Sequence, residues 1–208
     1  MTLATLVMSY PMAYWIAFRA KRKAIFLLLI LLPFFTPFLI RTLSWKFVLA
    51  DQGIFLGALK DWGIVGEGFH LLATPFAVVA GITYNFLPFM ALPLYVALER
   101  MDPSLIEASH DLYASRAQAF WRVTLPLSLP GVFAGSLLTF IPSVGDFVNA
   151  ELLGGTNTTM IGNVIQRELL VSNDFPEGSA ISFLLMAAIL IGVLMYARVL
   201  GTEELTGR

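Results

Sequence analysis

Long runs without Asp, Glu, Lys or Arg alternate along this chain with short charged segments, and apolar residues predominate in each run. The runs cover residues 2–18, 24–40, 71–98, 131–145 and 179–197. An all-round apolar helix is buried in a core or crosses a membrane. A span needs about 20 predominantly apolar residues. The first, second and fourth runs are shorter, but each extends into flanking apolar sequence such as 43–50 or 123–129. The pattern therefore predicts an all-α, polytopic transmembrane bundle of about five spans, forming one domain over residues 1–208.

Punctuation sharpens the boundaries. Arg19, Lys21, Arg22 and Lys23 follow the first apolar run, whereas a secretory leader carries its basic residues in front. A charge at midbilayer costs about 2.5–3.5 kcal/mol, so this cluster marks a turn and the first two spans form an antiparallel hairpin. Pro11, Pro33, Pro37, Pro75, Pro88, Pro93 and Pro142 each remove a backbone donor and are expected to bend or break their helices. Gly131 and Gly135 form a GxxxG pair suited to close helix contact.

Composition makes the bilayer the solvent: 58% of residues are hydrophobic and 13% charged, against about 45–50% and about 25% in soluble domains. Cysteine is absent, which excludes disulfides and thiolate chemistry. A net charge of −1 gives no electrostatic footprint for nucleic acid. No GxxxxGK[ST] run occurs, so any ATP that drives this chain is bound by another subunit.

Basic residues fall mainly on one side: Arg19, Lys21, Arg22, Lys23, Arg100, Arg116, Arg122, Arg198 and Arg208. The other side holds Arg41, Lys46, Lys60 and Arg167 with Asp51, Asp61, Glu67, Glu151, Glu168, Asp174 and Glu177. Loops rich in Lys and Arg stay cytoplasmic, which places the C-terminus inside and, with five spans, the N-terminus outside.

The loop over 99–130 reads ERMDPSLIEASHDLYASRAQAFWRVTLPLSLP. Asp102 before Pro103 suits a helix start. Leu105, Ala108, Leu112 and Ser115 fall on one face at helical spacing. Pro126 and Pro130 predict a short break before the next span. Two short helices joined at a turn result. Such a loop fits a helix lying on lipid headgroups or one docked in a groove of a soluble partner, and the pattern does not separate the two.

The run EASHDLYASRAQAFWRVTLPLSLPGVFAGSLLTFIPSVGDF resembles the EAA signature of ABC importer permeases, particularly the spermidine/putrescine branch. LPFFTPFLIRTLSWKFVL, YNFLPFMALPLYVALERMDPSLIEA and ELLGGTNTTMIGNVIQ carry the likeness across nearly the whole chain. The resemblance implies a permease domain in a bacterial inner membrane and a second permease subunit enclosing the pathway with it. It also implies two cytoplasmic ATPase subunits gripping the EAA loops, an external binding protein, and no cofactor in this chain. By matching position, Glu107, Ala108 and Ser109 are the triplet, and Asp111, Leu112, Ala114 and Ser115 complete the coupling helix. Two departures stand out. Glycine is usual in the family where Tyr113 stands, at the meeting of the two short helices. The family also carries an earlier N-terminal span and external loop; the outside N-terminus derived from charge independently predicts a missing first helix.

A polyamine is a flexible cation whose partners are carboxylates and aromatic faces. Asp146 and Glu151, at the outer end of the fourth span, are the candidate acids, and Tyr84, Phe86 and Trp45 the candidate aromatic faces. His70 and His110 fall on opposite sides and share no metal or acid/base site. Iron, a small anion or another amine are the alternative cargoes. A stand-alone secondary transporter or channel is the alternative class, but it calls for charges at midspan, and the apolar runs have none.

Overall fold

The computed structural model describes residues 1–66 and 68–200, the last two by backbone alone; Glu67 and Arg208, assigned to opposite sides above, lie outside the described residues. The helices are α1 (Thr2–Phe18), α2 (Lys23–Leu31), α3 (Phe38–Leu49), α4 (Ile54–Asp61), α5 (Pro75–Glu99) and α6 (Pro103–Asp111). They continue as α7 (Arg116–Ala119), α8 (Leu125–Val144), α9 (Phe147–Leu153), α10 (Ile161–Leu170) and α11 (Phe175–Leu200). No strand occurs among the described residues.

α5 is the mast of the bundle. Thr74 Oγ1 caps it by accepting from the Ala77 amide, and Pro75 occupies the first turn, where a missing N–H costs nothing. One half of α5 (Met90, Ala91, Leu94, Leu98) packs on Ala13, Ile16 and Ala17 of α1. Its other half (Ala77, Val78, Ile82, Phe86) packs with Leu49 of α3 and Ala150 and Leu153 of α9. Small residues on α1 permit the close approach, and Tyr10 shares a buried 2.8 Å hydrogen bond with Ser128 of α8. Lys23 lies 3.4 Å from Glu99, which sets the turn after α1 beside the end of α5.

Proline acts more selectively than the sequence predicts. Pro11, Pro88, Pro93, Pro130 and Pro142 all lie inside continuous helices. The second apolar run does break: a 3₁₀ turn at Leu32–Phe35 ends it, and the chain turns by 94° into α3 and α4. Pro33 and Pro37 together remove two donors at that corner.

The break expected at Pro126 and Pro130 is overturned. Residues Arg116–Val144 form a single helix of 29 residues, longer at its start than the 131–145 run. A π turn at Phe120–Thr124 precedes Pro126, and the Leu125 amide donates back to the Phe120 carbonyl. Widening the helix there makes room for the proline ring, which would otherwise meet the Arg122 carbonyl. The most apolar stretch of α11 has no buried residue.

Candidate functional site

Asp102 starts α6 by accepting from the Ser104 amide at 2.9 Å, which holds its carboxyl below the usual carboxylate range. Ile106 and Ser109 turn inward, Ser109 being buried and Ile106 packed on the cluster shared by α1 and α5. The face predicted from Leu105, Ala108, Leu112 and Ser115 is therefore corrected. α6 stops at Asp111, so Leu112 is 82% exposed and Ser115 belongs to the next helix. The period was right for one continuous helix, but the chain turns before Ser115. Ser115 caps α7 in a capping box: its hydroxyl accepts from the Gln118 amide, and Gln118 Oε1 accepts from the Ser115 amide.

The turn between the two helices is a Schellman motif. The Ala114 amide donates to the Ser109 carbonyl at 3.0 Å, and the Tyr113 amide to His110 at 2.9 Å. Such a motif requires a left-handed residue, and Tyr113 has φ 61°. This is why glycine suits the position. A non-glycine residue there costs about 1–2 kcal/mol. Tyr113→Gly is expected to slow exchange of the Tyr113 and Ala114 amides by about fivefold, the equivalent of about 1 kcal/mol. Hydrogen exchange with mass spectrometry reads it, and unchanged protection would refute the strain. The resulting surface presents Glu107, Ala108, Asp111, Leu112 and Tyr113 outward, with Ala114 half-buried behind them.

The candidate path residues separate. Trp45 and Tyr84 stack edge-on with centroids 5.4 Å apart. Phe86 is buried in the α3–α5–α9 cluster and offers no open face. Glu151 is exposed and lines a polar cavity of about 560 Å³ with Thr156, Thr158, Asn163 and Arg167. Asp146 is buried, unlike the solvated or path-facing acid expected. It caps α9, accepting from the Asn149 amide at 3.1 Å and from the Asn149 side chain. His70 Nδ1 lies 2.7 Å from Asp51, and this hydrogen bond leads in holding the Asp51 carboxyl low. His110 Nδ1 lies 3.0 Å from the Ala114 carbonyl. Among the described residues no cluster of ligating side chains could hold a metal ion.

Sequence reasoning missed the network behind Asp146. Asn149 Oδ1 accepts from Thr42 at 3.3 Å and from Asn85 at 3.2 Å, while Asn85 also donates to Thr42 at 3.1 Å. Three helices, α3, α5 and α9, are thereby joined inside the bundle. Gly81 allows the approach, since a Cβ there would lie 2.8 Å from Asn149 Oδ1 and closer still to Leu153. An asparagine in the middle of the 71–98 run was the available signal. Asn149→Leu removes the acceptor shared by Asn85 and Thr42 and the side-chain donor to Asp146, keeping the Asn85–Thr42 bond, the Thr42–Phe38 bond and the amide at 149, and is expected to cost about 1–3 kcal/mol. A lowered thermal midpoint of the purified protein checks this; an unchanged midpoint would show that the network carries little.

A bundle with three helices long and apolar enough to cross a membrane, and an exposed loop helix at one end, has the architecture of an integral membrane protein. Comparison with known proteins makes this specific. The model for the binding-protein-dependent transport system inner membrane component family matches residues 7–200, and the chain belongs to that family. It is 41% identical over 198 residues to the spermidine/putrescine transport system permease protein PotB of Haemophilus influenzae, covering 95% of this chain and 69% of that protein. The PotB of Escherichia coli is 39% identical, with 95% and 72% covered. A probable molybdenum ABC transporter permease of Haloferax volcanii is 28% identical, with 97% and 71% covered. The crystal structure of a bacterial ABC transporter involved in the import of the acidic polysaccharide alginate contains a chain of the same fold. Its TM-score is 0.68 at 18% identity, covering 96% of this chain and 77% of that one. The chain is thus a multi-pass permease subunit of the inner membrane, working with ATPase and binding-protein partners.

Proposed function

We propose that this permease imports a polyamine of the spermidine/putrescine type, delivered by an external binding protein and driven by two cytoplasmic ATPase subunits. The identity of 41% across 95% of the chain to a spermidine/putrescine permease carries the cargo reading. A second permease subunit completes the pathway. The C-terminus lies on the cytoplasmic side, where Arg19, Arg22, Arg100, Arg116 and Arg198 cluster.

Coupling runs through Glu107, Ala108, Ser109, Asp111, Leu112, Ala114 and Ser115. Closure of the ATPases pushes α6; because Ile106, Phe120 and Met101 pack on the α1–α5 core, that push reaches the spans as a nearly rigid movement. In the path, Glu151 meets an ammonium group; Trp45 and Tyr84 stack edge-on beside the Arg41 cation, which a polyamine would not approach. Asp146 and Phe86 act from behind, fixing α9 and the α3–α5 contact.

The test is ATP hydrolysis by the assembled importer in proteoliposomes with its binding protein. Spermidine or putrescine is expected to stimulate hydrolysis. Stimulation instead by an iron chelate or a small anion, with none by polyamines, would overturn the cargo.

A further inference from the structure

The segment over 50–74 leaves the bundle and returns to it at the same place. Leu49, at the end of α3, is buried with Ala77, Val78 and Ile82 in the first turns of α5, and Leu71 and Leu72 pack on the same cluster. That end of α5 lies opposite the one where Lys23 pairs with Glu99 and α6 begins. Between its two fixed ends the segment carries α4, and among the described residues one face of α4 is left open. Ile54 is 88% exposed, Phe55 55% and Trp62 76%.

Helical geometry puts these residues together. Ile54, Ala58 and Trp62 recur every fourth position and Phe55 adjoins them, which gives an apolar stripe about 100° wide. Leu56, fully buried, and Lys60 lie on the opposite face. Lys60 Nζ is 3.6 Å from one Asp51 oxygen and His70 Nδ1 is 2.7 Å from the other. Residues before α4, at its end and after it thus meet at one carboxylate, and the Lys60 charge is held off the stripe. Phe47, 75% exposed on α3, comes two helical turns before Ile54 in the limb that runs Phe38–Asp61 beyond the 94° corner. The stripe therefore continues a surface that α3 turns to the bilayer.

We propose that α4 is an interfacial anchor: its Ile54, Phe55 and Trp62 face lies in the lipid headgroup–acyl boundary of the leaflet opposite the coupling helix, and fixes the far end of α3 at that level. An apolar patch of this kind seldom faces water. A binding protein that departs in every transport cycle would leave the stripe in water each time, whereas lipid is always there. Tryptophan is a residue of such boundaries. The stripe carries no basic residue, so apolar contact, and not attraction to anionic headgroups, supplies the binding.

The chain contains no cysteine, so nitroxide labels can be placed one at a time. The assembled importer, with cysteine-free partner subunits, is reconstituted in vesicles of phosphatidylethanolamine and phosphatidylglycerol. Collisions with oxygen, which dissolves in the acyl region, and with a water-soluble nickel chelate give the depth of each label. Labels on Phe55→Cys and Trp62→Cys are expected about 5–10 Å into the headgroup–acyl boundary. Labels on Gln52→Cys and Asp61→Cys, exposed polar positions on either side, should stay in water. Phosphatidylcholine in place of phosphatidylglycerol should give the same depths. Nickel access at 55 and 62 equal to that at 52 and 61 would overturn the anchor. Low access to both reagents there would overturn it too, since a protein then covers the stripe, and loss of depth without phosphatidylglycerol would refute its apolar basis. Should Trp62→Cys fail to assemble, Ile54→Cys on the same stripe takes its place.

Discussion

Ala108→Trp is expected to reduce uptake by about thirtyfold or more while leaving the amount of protein in the membrane unchanged, the effect of removing about 2 kcal/mol at a docking hot spot. Ala108 is exposed on α6, and its replacement displaces nothing inside this chain. The inward face of that helix is Ile106 and Ser109, whose hydroxyl donates to the Ile106 carbonyl at 2.7 Å. A large side chain at 108 therefore meets only whatever grips the loop from outside. Basal ATP hydrolysis should persist without stimulation by cargo, the signature of a motor that has lost its lever. Glu107→Lys should act in the same direction by reversing a charge on the same surface. Normal uptake by well-expressed Ala108→Trp would show that the loop rests on lipid and that the coupling assignment is wrong.

Gly131→Ala is expected to destabilise the protein by about 1–3 kcal/mol, the range for inserting a methyl into a packed contact. A Cβ at 131 would lie 2.5 Å from the Ala97 Cβ, 2.8 Å from the Pro93 carbonyl oxygen and 3.2 Å from the Leu94 Cα. Two of those atoms are backbone of α5, so the helices themselves must separate. Gly135 faces the same helix one turn later, where a Cβ would meet the Met90 sulfur at 2.8 Å and its carbonyl at 3.0 Å. Ala134→Leu is the control: position 134 lies on the same stretch of α8 but points to the exposed side. Detergent thermal stability should fall for Gly131→Ala and stay level for Ala134→Leu. Equal stability of all three proteins would mean that α5 and α8 do not meet at these glycines.

Legibility in the sequence followed the range of the interaction. Residues 71–98 and 179–197 were readable as spans because burial in a bilayer demands apolar character at every position, and α5 and α11 occupy them to within a few residues. The run over 2–18 is helical but shorter than a span, and among the described residues three helices, or four if the bent pair is one span, stand where about five were expected. Asp102 and Pro103 announced the start of α6 because a cap involves neighbours in the chain. The end of α6 was harder. The helical period carried past Asp111 to Ser115, and only the left-handed turn at Tyr113 shows where it stops. Tyrosine hides that turn; the glycine usual in the family would have signalled it.

Chain-distant pairings were beyond the sequence. Asp146 looked like a free acid because its partner, Asn149, is itself fixed by Thr42 and Asn85 from two other helices. Arg41 was placed with the charges of the outer side; its aromatic neighbours Phe34 and Phe38 are close in sequence, but the 94° turn between the two helices is not legible in their spacing. Pro126 looked like a helix breaker because the widened turn that accommodates it is a cooperative adjustment of a longer helix.

By itself, the sequence determined that the chain lives in a bilayer, where the spans over α5 and α11 lie, and that it has neither a nucleotide-binding loop nor a thiol. These follow from solvent transfer and from residue chemistry, which act on each segment separately. The tertiary structure alone decided which prolines break the chain, which polar residues are joined inside it, and which cation lies against aromatic rings. Those depend on what packs beside each group, and for the polar network that neighbour comes from a helix many residues away.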